Sequence, residues 1–484
     1  MQSGSDTRSY ALLRTTSRSI RIVVVVVDTL IAIGTAIILP SAIFLPYALK
    51  FDYKNVSFPD SLLYGDTTFL NLVLENRVFF FLSWSNALIK AVPHLSAFLC
   101  LRSIATILKS ANRPDSTAAK LDARLAAPTV RTSSIGLRTI RALSRATTRV
   151  HNSRRLHRIV FPMAFAITGG VVLILHLKAH YTAVNENTGP IEDMCLQQMH
   201  PWLASNFSCA ILNYNCFRAD ELSPRPDSLS WLERGVLRRI TFMHCPALVV
   251  PSVIREFSSL MGIEIWNSTL LKWGKEAAVS APLHQNMLFI IFVFVNMTGI
   301  PAGILTPPLP ELLTDLEFIH TNLTAITEDV TNPWSGVRIV YIEHSHLDIF
   351  PSVLMHLPVL SELSLINNKI ETMPRDALLT AAATYYYDLS LSRNPLRELP
   401  DARTDNFHIS YLSLEFTQLT DLPAWVDTVV WESVSLGGSP LCDGGDDTKV
   451  LLFACCGKGD QDWDPLGPER YPIHLMQPFR LLSS

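Results

Sequence analysis

Two histidines, His320 and His344, fall at the same place in successive segments of similar pattern, with Glu317 and Glu343 close by. Imidazole and carboxylate are side chains that share a zinc ion, and imidazole also gains a proton near pH 6, so the pair could ligate a metal or sense pH. No third ligand accompanies them, and no cofactor is expected. Other catalytic chemistry is missing. The chain has no Gly-x-x-x-x-Gly-Lys-Ser/Thr loop to cradle phosphates, no His-Glu-x-x-His, no Gly-x-Ser-x-Gly and no kinase set. The 42 residues after Cys442 are too few for a kinase. The chain is therefore expected not to be an enzyme, and any signalling needs a second chain.

The elements that would position these residues form a repeat. From Leu237 onward one register returns, apolar at relative positions 0, 3, 5, 10 and 13, with Asn or a small residue at 8 and often Pro at 14. The clearest copy is Leu360, Leu363, Leu365, Asn368, Ile370, Met373, Pro374, followed by Tyr386, Leu389, Leu391, Asn394, Leu396, Leu399, Pro400. The position-5 residues are Phe242, Ile265, Phe292, Phe318, Ile342, Leu365, Leu391, Leu414 and Leu436, spaced by 22 to 27 residues. Positions 3 and 5 alternate inward on a short strand, and an amide at 8 can satisfy backbone groups in the turn that follows. No single copy can bury its apolar face, so the copies must stack.

This register resembles the leucine-rich-repeat family over about residues 237–442. The resemblance implies an α/β leucine-rich-repeat solenoid whose concave sheet is the working surface. Its solvent-facing positions, 2, 4, 6 and 7, hold Asp315, Glu317, His320, Tyr341, Glu343, His344, Glu362, Asp388, Arg393, Tyr411, Glu415 and Phe416, with Glu264 and Trp266 upstream. Acid interleaved with aromatic residues suits docking of a basic or mixed peptide or protein; the alternative is solvated strand polarity. The flanks resemble cysteine-stapled caps. Residues 179–236 carry Cys195, Cys209 and Cys216, and residues 443–484 form a C-terminal cap and tail with Cys442, Cys455 and Cys456 at its start. No pairing follows from the spacing. Cys245, at a repeat's position 8, reads as a buried thiol.

Charged residues are 17% of the 484, apolar residues are 48% and mean hydropathy is +0.24, a balance that points to a membrane. Three apolar stretches stand out, at residues 22–49, 78–101 and 159–178, each close to the roughly twenty residues that cross a bilayer. The first, an uncleaved signal anchor, contains Asp28; the second contains Lys90 and either spans or lies on the surface. Residues 1–21 carry a charge of +3 and residues 102–158 carry +11, so both segments favour the cytosol. Three crossings, with residues 50–77 forming a short external loop, satisfy that preference and leave everything after residue 178 outside. The sequons at Asn55, Asn206, Asn267, Asn296 and Asn322 all fall on that outer side, as do seven of the eight cysteines. A glycan on Asn267 would obstruct one end of the concave face, which leaves residues 315–416 for contact.

In the cytosolic segment Arg138, Arg141, Arg145 and Arg149 recur at helical spacing before Arg154, Arg155 and Arg158. They would lie on the anionic lipid leaflet, each contributing about 1 kcal/mol. With no aromatic residues among them, nucleic acid is not an expected partner. The whole layout also resembles multi-pass leucine-rich-repeat membrane proteins of oomycetes. It implies a plasma-membrane binding protein of receptor-like or adhesive role, with an extracellular protein or peptide ligand and a signalling co-receptor. The alternative is a scaffold subunit that assembles a membrane partner through its spans and basic loop.

Overall fold

The computed structural model describes residues 33–53, 57–79, 167–181, 193–204, 206–225, 227–443, 454–456 and 470–473, with isolated helical positions at 27, 30, 31, 84, 85, 87, 88, 91, 98, 102 and 163. Two compact units divide the chain, Met1–Val172 and Leu173–Ser484.

In the first unit a π-helical turn at Gly34–Ile38 runs into the helix Leu39–Lys50, with Pro40 just past the junction. Helices Asp60–Leu63 and Asp66–Phe79 follow. Tyr47 donates a hydrogen bond to Glu75 Oε2 at 2.7 Å and so ties the first of these helices to the last. No helix among the described residues is long and apolar enough to cross a membrane. The three apolar stretches are described only in part. Asn55 and the seven arginines from Arg138 to Arg158 lie outside the described residues.

The second unit is a solenoid of parallel strands. Its sheet contains β1 (Cys195–Gln198), β2 (Cys209–Asn215), β3 (Arg239–Met243), β4 (Leu248–Val249), β5 (Gly262–Lys272), β6 (Phe289–Met297), β7 (Asp315–Ile319), β8 (Ile339–Glu343), β9 (Glu362–Ser364), β10 (Tyr385–Ser390), β11 (His408–Ser413), β12 (Val430–Ser435) and β13 (Ala454–Cys455). From β2 to β13 the strands pair in parallel in chain order, with β4 set aside against β5; β1 closes the end by pairing antiparallel with β2. The register is the repeat itself. Phe292 pairs with Phe318 and Phe318 with Ile342, so each position 5 stacks on the next. Positions 0, 3 and 5 are buried, as in Leu360, Leu363 and Leu365, each at 0% exposure. Position 14 also has a fixed task. Pro251, Pro301 and Pro351 each precede a short 3-10 turn on the outer side, where a ring with φ near −65° starts such a turn without strain.

Asparagine at position 8 fastens one turn to the next. Asn368 donates from Nδ2 to the carbonyls of Ile342 at 2.7 Å and Leu365 at 3.0 Å, and its Oδ1 accepts the Leu347 amide at 3.1 Å. Asn394 repeats the arrangement one turn on, accepting Ile370 N–H at 3.1 Å. Where the residue is small, hydroxyls substitute: Thr321 Oγ1 and Ser345 Oγ lie 2.8 Å apart. Between two repeats, His284 is fully buried with both ring nitrogens engaged, Nε2 with Ile254 O at 3.0 Å and Nδ1 with the Ser280 amide at 3.2 Å. Burial pushes its pKa down, which keeps it neutral.

Three readings of the sequence change here. Cys245 is not a buried thiol: it bonds Cys216, while Cys195 bonds Cys209. At the other end Cys442 bonds Cys456, and Cys455 is the free thiol among the described cysteines because its place in β13 fixes its side-chain direction. The sheet also begins before residue 237. β2 lies inside the segment read as a cap, with Tyr214 paired to Phe242 at position 5. Its signal, Cys209, Leu212 and Tyr214 at positions 0, 3 and 5, was present in the sequence but lacked an apolar–Pro ending.

Asn368→Ala would orphan a buried amide and two buried carbonyls, so it should lower unfolding free energy by about 3 kcal/mol. Thr417→Ala, which removes a bond to Leu414 O, should cost about 1 kcal/mol. Urea unfolding followed by the fluorescence of the buried tryptophans checks both; equal effects would count against the inter-turn role of Asn368.

Candidate recognition face

Alternation along each strand sends positions 2, 4 and 6 to the concave side, and the parallel register aligns them in columns. Position 2 runs Asp315, Ile339, Glu362, Asp388, Tyr411. Position 4 runs Glu317, Tyr341, Ser364, Ser390, Ser413 over the same strands. Glu343 and Glu415 stand at position 6 of their repeats.

The sequence reading of these positions did not anticipate their burial. Glu317, Tyr341, Glu343, Asp388 and Glu415, read as solvent-facing, are buried, as are Glu264 and Trp266 upstream; Asp315, Glu362 and Tyr411 are half-buried. A distant segment covers part of this face. Arg470 and Tyr471, read as part of a cap and tail, lie on the concave side and are themselves buried. Arg470 meets Asp388 side-on, Nε to Oδ2 at 2.7 Å and Nη2 to Oδ1 at 3.1 Å, and donates from Nη2 to Ser413 Oγ at 2.7 Å. The Glu343 carboxylate accepts the backbone amides of Arg470 at 3.2 Å and Tyr471 at 3.3 Å, together with Ser364 Oγ–H at 2.5 Å. Tyr471's ring lies 6.4 Å from that of Trp266, whose Nε1–H is held by Glu264 Oε2 at 2.9 Å. Glu264 in turn forms an ion pair with Arg239.

The face stays rich in acid. Burial pushes the Asp315 carboxyl up to about 8, helped by the charge of Glu362 and opposed by a hydrogen bond with Glu317. Burial also raises Glu343, against the pull of Ser364 and Arg470, and raises Glu362, against the Tyr341 hydroxyl that it binds at 2.7 Å. Each of these shifts works toward the neutral acid, and a nearby positive charge works against it.

Position 7 does different work. His244, Asn267, Phe294, His320, His344, Asn367, Arg393, Phe416 and Gly438 all have positive φ, one in each repeat. The conformation is costly for residues other than Gly and Asn, and stacking offsets the cost. His320 stacks on Phe294 at 4.5 Å and on His344 at 4.4 Å, Asn367 Nδ2 lies 2.7 Å from His344 Nδ1, and Arg393 covers the Phe416 ring at 5.0 Å. Gly438 is required where it stands, with φ 75° and a hypothetical Cβ only 2.5 Å from Phe416. So His320 and His344 are together, as their register predicts, but face to face in a ladder; no group that could hold a metal occurs among the described residues.

Two parts remain open. Along the strand-start margin of β10–β12, Tyr385 is 42% and Trp431 51% exposed, His408 packs on Trp431 at 3.9 Å, and Tyr387 meets Tyr411 edge-on at 5.3 Å. Sequence reasoning missed Tyr385, Tyr387, His408 and Trp431 because none of them stands at position 2, 4, 6 or 7 of the register. At the opposite corner of the first repeats, a groove is lined by Phe217, His244, Pro246, Asn267, Phe294 and Asn296. The sequon asparagines Asn206, Asn267, Asn296 and Asn322 are exposed, with Asn322 Nδ2 donating to Asn296 Oδ1 at 2.7 Å.

Unfolded Asp315 releases its proton in the ordinary carboxylate range, while folded Asp315 holds it to about pH 8, so the folded chain carries the extra proton in between and stability falls as pH rises through that window. Asp315→Asn should therefore gain melting temperature relative to wild type on going from pH 5 to pH 8; a constant difference between the two proteins across that range would refute the assignment. Among known proteins, no family model matches the chain and no curated protein matches it. A leucine-rich-repeat protein of Leptospira interrogans is similar over 42% of this chain and 67% of its own, at 17% identity and a TM-score of 0.28. The solenoid described here is leucine-rich-repeat-like on the strength of its own strand register.

Proposed function

We propose that the chain is a membrane-anchored binding protein whose solenoid recognises a protein or peptide, in a receptor-like or adhesive role with no catalytic domain of its own. The observation that carries this reading is the aromatic margin where exposed Tyr385 and Trp431 stand beside half-buried Tyr387, His408 and Tyr411. Exposed clustered aromatic residues are the side chains from which interfaces draw most of their energy. The tyrosines bring amphipathic area without added charge, since burial pushes Tyr387 up to about 12 and raises Tyr411 as well.

Support for the membrane part is compositional and local. The apolar stretches and the split of charge between them favour three crossings. Leu39, Leu45 and Leu49 of the Leu39–Lys50 helix are exposed, as are Ile167, Leu173 and Ile174, a distribution suited to lipid contact. Three disulfides and the sequons support an oxidising compartment for the solenoid. The scaffold reading draws on Asp28 and Lys90, polar residues inside apolar stretches that would suit helix partners.

On intact cells an impermeant protease should digest the solenoid, and glycosidase should shift the protein's mobility; protected repeats with no shift would reverse the orientation. Proximity labelling from the solenoid should recover partner proteins, and Tyr411→Ala with Trp431→Ala should reduce that recovery by about thirtyfold, the equivalent of one interface hot spot. Unchanged recovery by a folded double variant would move the site off this margin.

A further inference from the structure

The concave face already holds a ligand-like segment, and its contacts define a chemistry. A side-on guanidinium pair with Asp388, a third donor contact to Ser413, and one carboxylate, Glu343, receiving two consecutive backbone amides together form a receptor for an extended chain bearing arginine. Ser390 Oγ–H supports Asp388 at 2.9 Å, and Ser364 supports Glu343, so both carboxylates are oriented from within the sheet. The next residue's ring is received beside Trp266. Every one of these receiving groups sits on a strand, which makes the site a property of the solenoid rather than of the segment in it.

Two features separate this segment from an ordinary piece of core. It brings one guanidinium to a face where Asp315, Glu317, Glu343, Glu362 and Asp388 converge, so acid remains in excess when it is seated. It is also joined to the solenoid through residues 457–469, after the chain is pinned by the Cys442–Cys456 disulfide. Covalent connection makes its seating intramolecular, which fills a weak site without excluding a stronger ligand.

We propose that the concave face is a binding site for an extended peptide carrying an arginine followed by an aromatic residue, and that Arg470–Tyr471 occupies it in cis until a partner peptide of that class, richer in positive charge, displaces it. The inference rests on the reading of the solenoid as a protein-binding module and names its ligand class.

The test uses the full chain in detergent and a fluorescent synthetic peptide spanning residues 466–477. Wild type should take up the peptide weakly. The double variant Arg470→Ala with Tyr471→Ala, its site vacated, should bind at least about tenfold tighter. Adding Asp388→Asn to that variant should weaken binding again by about thirtyfold or more, the effect of truncating one side of a buried charge pair. Arg470→Lys keeps the charge and loses the fork, and should open the site partly. Equal uptake by wild type and the double variant overturns the proposal. So does an Arg470→Lys protein that unfolds at markedly lower temperature and takes up no peptide, because the segment is then a structural staple. Neither result touches the aromatic margin, whose test is partner recovery through Tyr411 and Trp431.

Discussion

Each turn of the solenoid must leave its strand through a corner that right-handed backbone cannot make, and the corner is made each time by one residue of positive φ, from His244 to Gly438. Much else follows from that repeated bend. It turns the chain two residues after position 5, brings position 8 under the sheet, and so places the Asn368 and Asn394 amides where they can bridge neighbouring turns. The same bend projects the position-7 side chains outward in a row, where their stacking offsets part of the local strain. Corner, polar bridge and ladder are three results of one backbone constraint.

Electrostatics on the concave side are shaped by what that sheet excludes. Parallel strands bring like positions into contact, so an acid at the same position in successive repeats becomes a column of acids. Glu362 and Asp388 are direct neighbours in position 2, and Asp315 is two strands away. With water removed, such a column either binds protons or binds a cation. Both happen: Asp315 is raised to about 8, and Arg470 sits against Asp388. The whole chain's formal charge of −3 counts Asp315 as ionised, although burial holds its proton up to about pH 8.

Elements set by short-range periodicity were legible in the sequence. Strand positions 3 and 5, the turn asparagines and the prolines that start outer turns all occur where the register puts them, because each depends on residues within one repeat. What required distant chain was not legible. Asp388 and Arg470 are 82 residues apart, and no period connects them, so the expected solvent-facing column could not be known to be covered. Cys216 and Cys245 escaped for a related reason: the pair links a strand whose repeat was incomplete to one whose position 8 resembled a core thiol. The aromatic margin fell between the positions that the register describes.

The disulfides alter how the array can come apart. A stack of repeats with open ends loosens from its termini, since each end turn has a neighbour on one side only. Here Cys195–Cys209 and Cys216–Cys245 lock the first strands, and Cys442–Cys456 locks the last. Peeling is blocked at both ends, so opening must begin among interior turns that have neighbours on both sides. A module built this way transmits a pull along its axis as a single body and yields abruptly, whereas the reduced chain would unravel turn by turn.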